Sequence, residues 1–496
     1  MKMEDRAKAS FEVPGLDDIL RGGLPRGRIY LLKGRPGTGK TTLALQFLLG
    51  GATRGERGLY IALSETIDEL RQVADAHGWS LDGLSLFELG SASTGPGIDE
   101  QYTMYHPAEV ELTQAMGALV AEVERVGPER LVIDSLSEIR LLAHGPLRYR
   151  RQVMAMKQKF AGRQATVLLL DDMTAGEADE HLESVVHGVL SLERHSPVYG
   201  SARRRIEVAK LRGVPFRDGF HDCVIAHGGV QVFPRLIAAE HAPDYERGQS
   251  PSGVPSLDAL LGGGLDRGTA TLVVGPAGSG KSALSAQYAV NAAERGEKGA
   301  IFTFDEGYET ALARATALGM PLARHVETKR IRLQQIDPAE MSPGQFAYEI
   351  RRCVEHDGVR LLVIDSLNGY LNAMPEENFL LNHLHELLAY LSQKGVVTIL
   401  VATQHGLVGA VTATIDVSYL ADTVVMLRYY EAAGAVRNAI SAMKRRAGGH
   451  ERTIREFSLG PSGIVVGKPL TDFHGVLAGV PTYTGASESL MEWSGG

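Results

Sequence analysis

Apolar positions along this 496-residue chain fall into short runs, each closed by glycine or a polar turn and separated by segments of helical period. Ile29-Tyr30-Leu31-Leu32 and Ala270-Thr271-Leu272-Val273-Val274 have the length of strands buried on both faces. Each runs into a glycine-rich turn, and each turn is followed by a helix-like segment, Leu43–Leu48 or Ala283–Gln287. Farther on, Val132–Asp134, Arg148–Phe160 and Thr166–Leu170 alternate as strand, helix and strand. Such alternation predicts a mainly parallel sheet flanked by helices. Period-two alternation takes over late in each half. Gly188–Glu193 with Arg205–Lys210, and Val424–Tyr430 with Ala439–Lys444, predict a C-terminal β region of hairpins. The expected fold class is α/β, with this plan used twice.

The duplication is visible residue by residue. Val13-Pro14-Gly15-Leu16-Asp17 returns as Val254-Pro255-Ser256-Leu257-Asp258, and Lys40 and Glu65 return as Lys281 and Glu306 at the same offset of 241 (281 − 40). Leu131–Leu136 returns as Leu362–Leu367 at an offset of 231 (365 − 134), so the first copy is longer before this strand. Ala238–Pro251 is polar, carries prolines and lacks periodicity. It predicts a linker at 239–250, between an N-terminal domain at 1–238 and a C-terminal domain at 251–496.

The glycine-rich turns are Gly34-Arg35-Pro36-Gly37-Thr38-Gly39-Lys40-Thr41 and Gly275-Pro276-Ala277-Gly278-Ser279-Gly280-Lys281-Ser282. Both fit G-x-x-x-x-G-K-[ST], the P-loop or Walker A motif. Its glycines let backbone N–H groups turn toward phosphates, and the following helix adds its positive end. Thr42 and Ala283 follow in that first turn. Lys40 and Lys281 are expected on the β- and γ-phosphates of ATP, and Thr41 and Ser282 on Mg2+. Asp134 and Asp365 close apolar strands, where a carboxylate holds magnesium or, in the blander reading, caps the next helix.

Composition narrows the function. A net charge of −8 disfavours a nucleic-acid-coating protein. The two cysteines, Cys223 and Cys353, suggest neither a disulfide framework nor a zinc site, and point to a reducing, cytoplasmic setting. The start, Met1–Arg6, lacks the apolar core of a signal peptide, and no run of 18 apolar residues is present to span a membrane. The basic stretch Arg148–Lys159 has two readings, a contact for nucleic acid or a plain amphipathic surface helix with Val153, Met154 and Met156 partly inward.

Other candidates carry two readings. Glu65 and Glu306 follow strand-like runs, where a carboxylate can orient or deprotonate water, or only favour a helix dipole. Ser64 precedes one and Asp305 the other. Lys210-Leu211-Arg212 and Lys444-Arg445-Arg446 put two cations on one strand face. They suit a finger supplied to a neighbouring subunit's γ-phosphate, or a solvated basic strand.

Together these residues resemble the KaiC family of tandem RecA-like ATPases, over about Phe11 to Tyr483. The resemblance rests on Pro14-Gly15-Leu16-Asp17, Gly22–Gly27, both Walker pairs, the glutamates after strand two, Lys210-Leu211-Arg212-Gly213, Asp422-Thr423-Val424 and Arg437–Lys444. It implies a two-tiered homohexamer with ATP at subunit interfaces, and functional roles for Glu65, Asp305, Glu306, Lys210, Arg212, Lys444 and Arg446. It also implies a C-terminal autokinase. The adjacent Ser and Thr that the family's clock proteins phosphorylate correspond here to Ser418 and Tyr419. The short tail Thr484–Gly496 is expected to lack the segment that a KaiA-like partner uses. The expectation is a regulatory ATPase acting as a timer or switch, with a KaiB-like protein or a response regulator as partner. Two rivals stand beside it: a RecA- or RadA-type DNA-dependent ATPase, which shares the core, and a nucleotide-gated scaffold with little turnover, supported by Ser64.

Overall fold

The computed structural model describes residues 8–89, 107–143, 145–161, 164–173, 180–197, 199–243, 245–372, 380–404, 418–432, 434–477 and 482–485. The Met1–Arg6 start and nearly all of the tail from Thr484 lie outside them. The chain divides into two compact units at Arg235/Leu236.

The first unit is a nine-stranded sheet built from β1 (Ile29–Gly34), β2 (Gly58–Ala62), β3 (Leu84–Glu88), β4 (Arg130–Asp134), β5 (Thr166–Asp171), β6 (Gly188–His195), β7 (Arg203–Leu211), β8 (Phe220–Ala226) and β9 (Gly229–Phe233). The spatial order is β9-β8-β7-β6-β1-β5-β4-β2-β3. From β6 to β3 all neighbours are parallel, and from β6 to β9 they are antiparallel. The phosphate-loop strand β1 is therefore central, with the Asp134 strand two places away.

Strand alternation divides the core. Tyr30 and Leu32 pack with Leu43, Phe47 and Leu48 of helix α1 (Lys40–Ala52), while Ile29 and Leu31 pack with Val153, Met156 and Phe160 of the helix at Pro146–Ala161. That second helix is amphipathic as expected, except that Met154 faces solvent. A buried cation ties the elements together below the loop. Arg130, fully buried, donates to Glu56 Oε2 at 2.6 Å and to the carbonyls of Ser10 and Phe47, both at 2.6 Å. Its guanidinium lies 4.8 Å from the Phe47 ring centroid.

The second unit repeats the plan with β10 (Ala270–Gly275), β11 (Lys298–Thr303), β12 (Ile331–Gln335), β13 (Val359–Asp365), β14 (Val397–Thr403), β15 (Thr423–Ala432), β16 (Ala435–Arg445), β17 (Arg455–Gly460) and β18 (Gly463–Pro469), in the order β12-β11-β13-β14-β10-β15-β16-β17-β18. Leu361 stands where the first unit has Arg130: Gly58 faces Arg130, and Gly299 faces Leu361. The segment expected as a linker is partly drawn onto this unit. Ala238 N–H donates to Glu386 at 3.0 Å, and His241 packs edge-on against Tyr390. Among the described residues no helix is long and apolar enough to cross a membrane. Both cysteines are buried and free.

Candidate functional site

Each P-loop bends through glycines that no other residue could replace without strain. Gly37 and Gly39 have φ of 78° and 101°, and Gly278 and Gly280 have 76° and 101°. A Cβ on Gly39 would lie 2.8 Å from Ile225, and one on Gly280 2.8 Å from Phe457 and Leu459. The helices begin at Lys40 and Lys281 with no side-chain cap, so their first N–H groups remain available at the loop. This is a cradle for phosphate oxygens, and the residues fit a magnesium nucleotide.

In the first unit, Lys40 Nζ donates to Gly34 O at 2.8 Å and Arg35 O at 3.3 Å, and pairs with Asp172 at 2.9 Å. Thr41 Oγ1 lies 3.3 Å from Asp134 Oδ2, which also accepts from the Tyr60 hydroxyl at 2.5 Å. Burial raises the Asp134 carboxyl and Asp172 adds to it, against hydrogen bonds from Tyr60 and Thr41 and the charge of Lys40. Burial pushes Asp172 up as well, but its contact with Lys40 outweighs it and the net shift is downward.

Glu65 stands just outside the helix at Ile67–Ala76. That helix is capped by Thr66 and Glu69 in a reciprocal box, so the capping role belongs to Glu69. One carboxylate oxygen of Glu65 is buried with no hydrogen-bond partner. Burial, then the charges of Asp134, Glu69 and Asp172, raise its pKa to about 7. A carboxylate near neutral pKa, unengaged and close to a phosphate cradle, has the properties of a general base.

The second unit keeps the parts and changes their partners. Lys281 Nζ donates to Pro276 O at 2.7 Å, and burial lowers its pKa to about 8 against the pull of Asp365. Ser282 follows Lys281 at the start of its helix, and burial raises the pKa of Asp365. Glu306 is held by Arg314 through two bonds of 2.9 and 2.8 Å, and Asp305 accepts from the Ser366 hydroxyl. At the same place the first unit has Val73, so Glu65 has no such clamp.

The basic pairs lie elsewhere. Leu211 faces Gly188, which faces Tyr30, four residues before Gly34. Lys210 and Arg212 thus sit at the end of the sheet opposite their own P-loop, about 13 Å from it along the strand direction at ~3.3 Å per residue. Lys210 donates to the carbonyls of Glu183 and Val186, and Arg212 to that of Ser184 at 2.8 Å. In the second unit Lys444 donates to Ser418 O at 3.0 Å and Ala421 O at 2.8 Å, and Arg446 to Tyr419 O at 2.8 Å and Asp422 at 3.1 Å. Ser418 and the exposed Tyr419 share that far end, because Thr423 faces Thr271 at the start of β10. The structure thus brings the loops, Asp134 or Asp365, and Glu65 or Glu306 together within each unit. It does not bring the cation pairs or Ser418 to the same unit's loop.

Three residues were missed by sequence reading. Asp172 follows the apolar run Val167–Leu170, and comparison with Thr403 in the other repeat exposes an extra charge beside the loop. Arg314 shows up the same way against Val73. Tyr60 lies in the apolar run of β2 and carries no local signal of its bond to Asp134.

Comparison with known proteins agrees with the repeat. A family model described as the ATPase KaiC matches residues 9–237 and 250–471. The circadian clock protein KaiC3 of Synechocystis is 27% identical over 97% of this chain and 96% of its own length. The circadian clock oscillator proteins KaiC of Synechococcus elongatus and Acaryochloris marina are 26% and 25% identical, covering 96% and 97% of this chain and 92% of theirs.

Proposed function

The chain belongs to the KaiC family of ATPases, and from that premise we propose that it is a cytoplasmic homohexameric regulatory ATPase, hydrolysing ATP in its N-terminal unit and acting as a timer or switch. The observation that carries this reading is the repeat, in each unit, of a P-loop lysine and hydroxyl beside a strand-end aspartate, with the hydroxyl bonded to that aspartate in the first. Lys40, Thr41 and Asp134 would hold Mg·ATP in the first unit, and Lys281, Ser282 and Asp365 in the second. Magnesium, when bound, offsets phosphate charge. Glu65 then takes the proton of the attacking water on its unpartnered oxygen.

A hexamer is supported by the cation pairs, which lie too far from their own loop and suit a neighbour's. The same distance bears on the C-terminal unit. Phosphoryl transfer needs reacting atoms about 3–3.5 Å apart, so Ser418 would take phosphate from a neighbouring subunit. Glu306, clamped by Arg314, favours slow hydrolysis in that unit. A KaiB-like protein or response regulator would read the ring's nucleotide or phosphorylation state.

The test is steady-state ATP turnover of the full chain beside Lys40→Ala and Lys281→Ala. Loss of most turnover in the first variant, with most retained in the second, is the expected result. Full turnover in both would end the reading. Incubation with Mg·ATP and phosphopeptide mapping tests the autokinase part, with phosphate on Ser418 expected.

A further inference from the structure

Lys40 has three ammonium protons, and the first unit engages all of them: two carbonyls of the loop and the carboxylate of Asp172 at 2.9 Å. The pair is sheltered, with the lysine side chain 6% and the aspartate 26% exposed. Asp172 is fixed from behind by Ser137 Oγ at 3.4 Å, and the residue before it is anchored to Arg140 at 2.5 Å.

The duplicate offers an internal control. Lys33 faces Asp171 across the sheet and Val274 faces Ala402, so the next residues, Asp172 and Thr403, are counterparts. Lys281 takes a carbonyl, Pro276 O, and makes no ion pair among the described residues.

We infer that Asp172 is a specificity-determining residue of the N-terminal unit, lowering its preference for nucleoside triphosphate over diphosphate by competing for Lys40. The inference rests on the nucleotide-binding reading of the loop. A triphosphate needs the ammonium at its β- and γ-oxygens. Moving to them draws Lys40 away from Asp172 or sets that carboxylate beside the terminal phosphate, in either case a like-charge cost in a partly buried place. A diphosphate leaves Lys40 within reach of both the β-phosphate and Asp172. Hydrolysis would thus restore the ion pair, and the unit would hold its product comparatively well.

The experiment uses the full-length chain with Lys281→Ala silencing the second loop, and fluorescent ADP and a non-hydrolysable ATP analogue as probes. Asp172→Asn keeps the shape, and Asp172→Thr installs the residue of the other repeat. Both are expected to bind the ATP analogue about tenfold tighter, the scale of one charge-assisted contact, and ADP within about twofold. An analogue-to-ADP ratio unchanged in both variants would overturn the inference while leaving the loop assignment intact. Loss of turnover with that ratio unchanged would also overturn it, since Asp172 would then serve the chemistry. Failure of the Lys281→Ala parent to bind either nucleotide would overturn the loop assignment together with the inference.

Discussion

Replacing Arg130 with leucine, the residue the second unit carries at that place, should destabilise the first unit by about 3–5 kcal/mol, as expected for breaking one side of a buried ion pair. The structure accounts for that magnitude. The variant leaves the Ser10 and Phe47 carbonyls without their donor at 2.6 Å, and Glu56 with Arg26 as its remaining guanidinium partner. Losing three hydrogen bonds from a charged donor, at about 1.5–3 kcal/mol each before any rescue, covers that magnitude. A partial offset comes from no longer burying Arg130 Nη2, which has no partner. For a unit of this size each kcal/mol moves the transition by roughly 2–4 °C, so a fall of about 10 °C is expected. Calorimetry should show it in one transition, with the other unmoved. Glu56 supplies a second check. Burial raises its pKa, but hydrogen bonds from Arg26 and Arg130 outweigh this and hold it below the ordinary value of 4.5. The pair's contribution is therefore present above that value and lost as pH falls through the lowered pKa, so the variant and the wild type should converge on acidification. A shift under about 2 °C at neutral pH would refute the argument.

Three further outcomes follow from the site. In a Lys281→Ala background, turnover should rise with pH through about 7, because Glu65 is a base only once its raised carboxyl has lost its proton. Glu65→Gln should abolish that step and cost ~10²–10⁴-fold in rate, and a surviving pH step would move the base elsewhere. In a Lys40→Ala background, Arg314→Ala should free Glu306 and raise turnover about tenfold, the scale of a charged hydrogen bond; unchanged or lower turnover would show that the clamp positions Glu306 productively. Arg212→Ala should slow hydrolysis by ~10³-fold or more while leaving nucleotide affinity within twofold, if the cation acts across an interface; wild-type turnover would leave it the structural role of holding Ser184.

The loops were legible in the sequence because their chemistry is local: a glycine at positive φ, then Lys and a hydroxyl residue, with spacing set by one turn of backbone. The duplicated α/β order was legible because burial on both faces writes itself as short apolar runs. Partners are a different matter. Nothing near Glu306 in sequence says that it is clamped and Glu65 is not, because the difference lies eight residues away in Arg314 against Val73. Asp172 reaches Lys40 only because β5 lies beside β1, a neighbour relation that sheet topology alone supplies. Lys210 and Arg212 were recognised as a pair, yet their placement at the far end depends on strand register. The Met154 expectation failed for a simpler reason: its neighbours Val153 and Met156 already fill the inward face.

Ser418, at the end of the sheet remote from Lys281, has a consequence for how such a protein could respond to its surroundings. A chain whose acceptor hydroxyl lies beyond reach of its own nucleotide cannot mark itself. Under the autokinase reading, labelling would therefore depend on protein concentration, falling away on dilution even with ATP saturating. Abundance would become an input alongside nucleotide, and a cell could silence the signal by lowering copy number without touching a single active site.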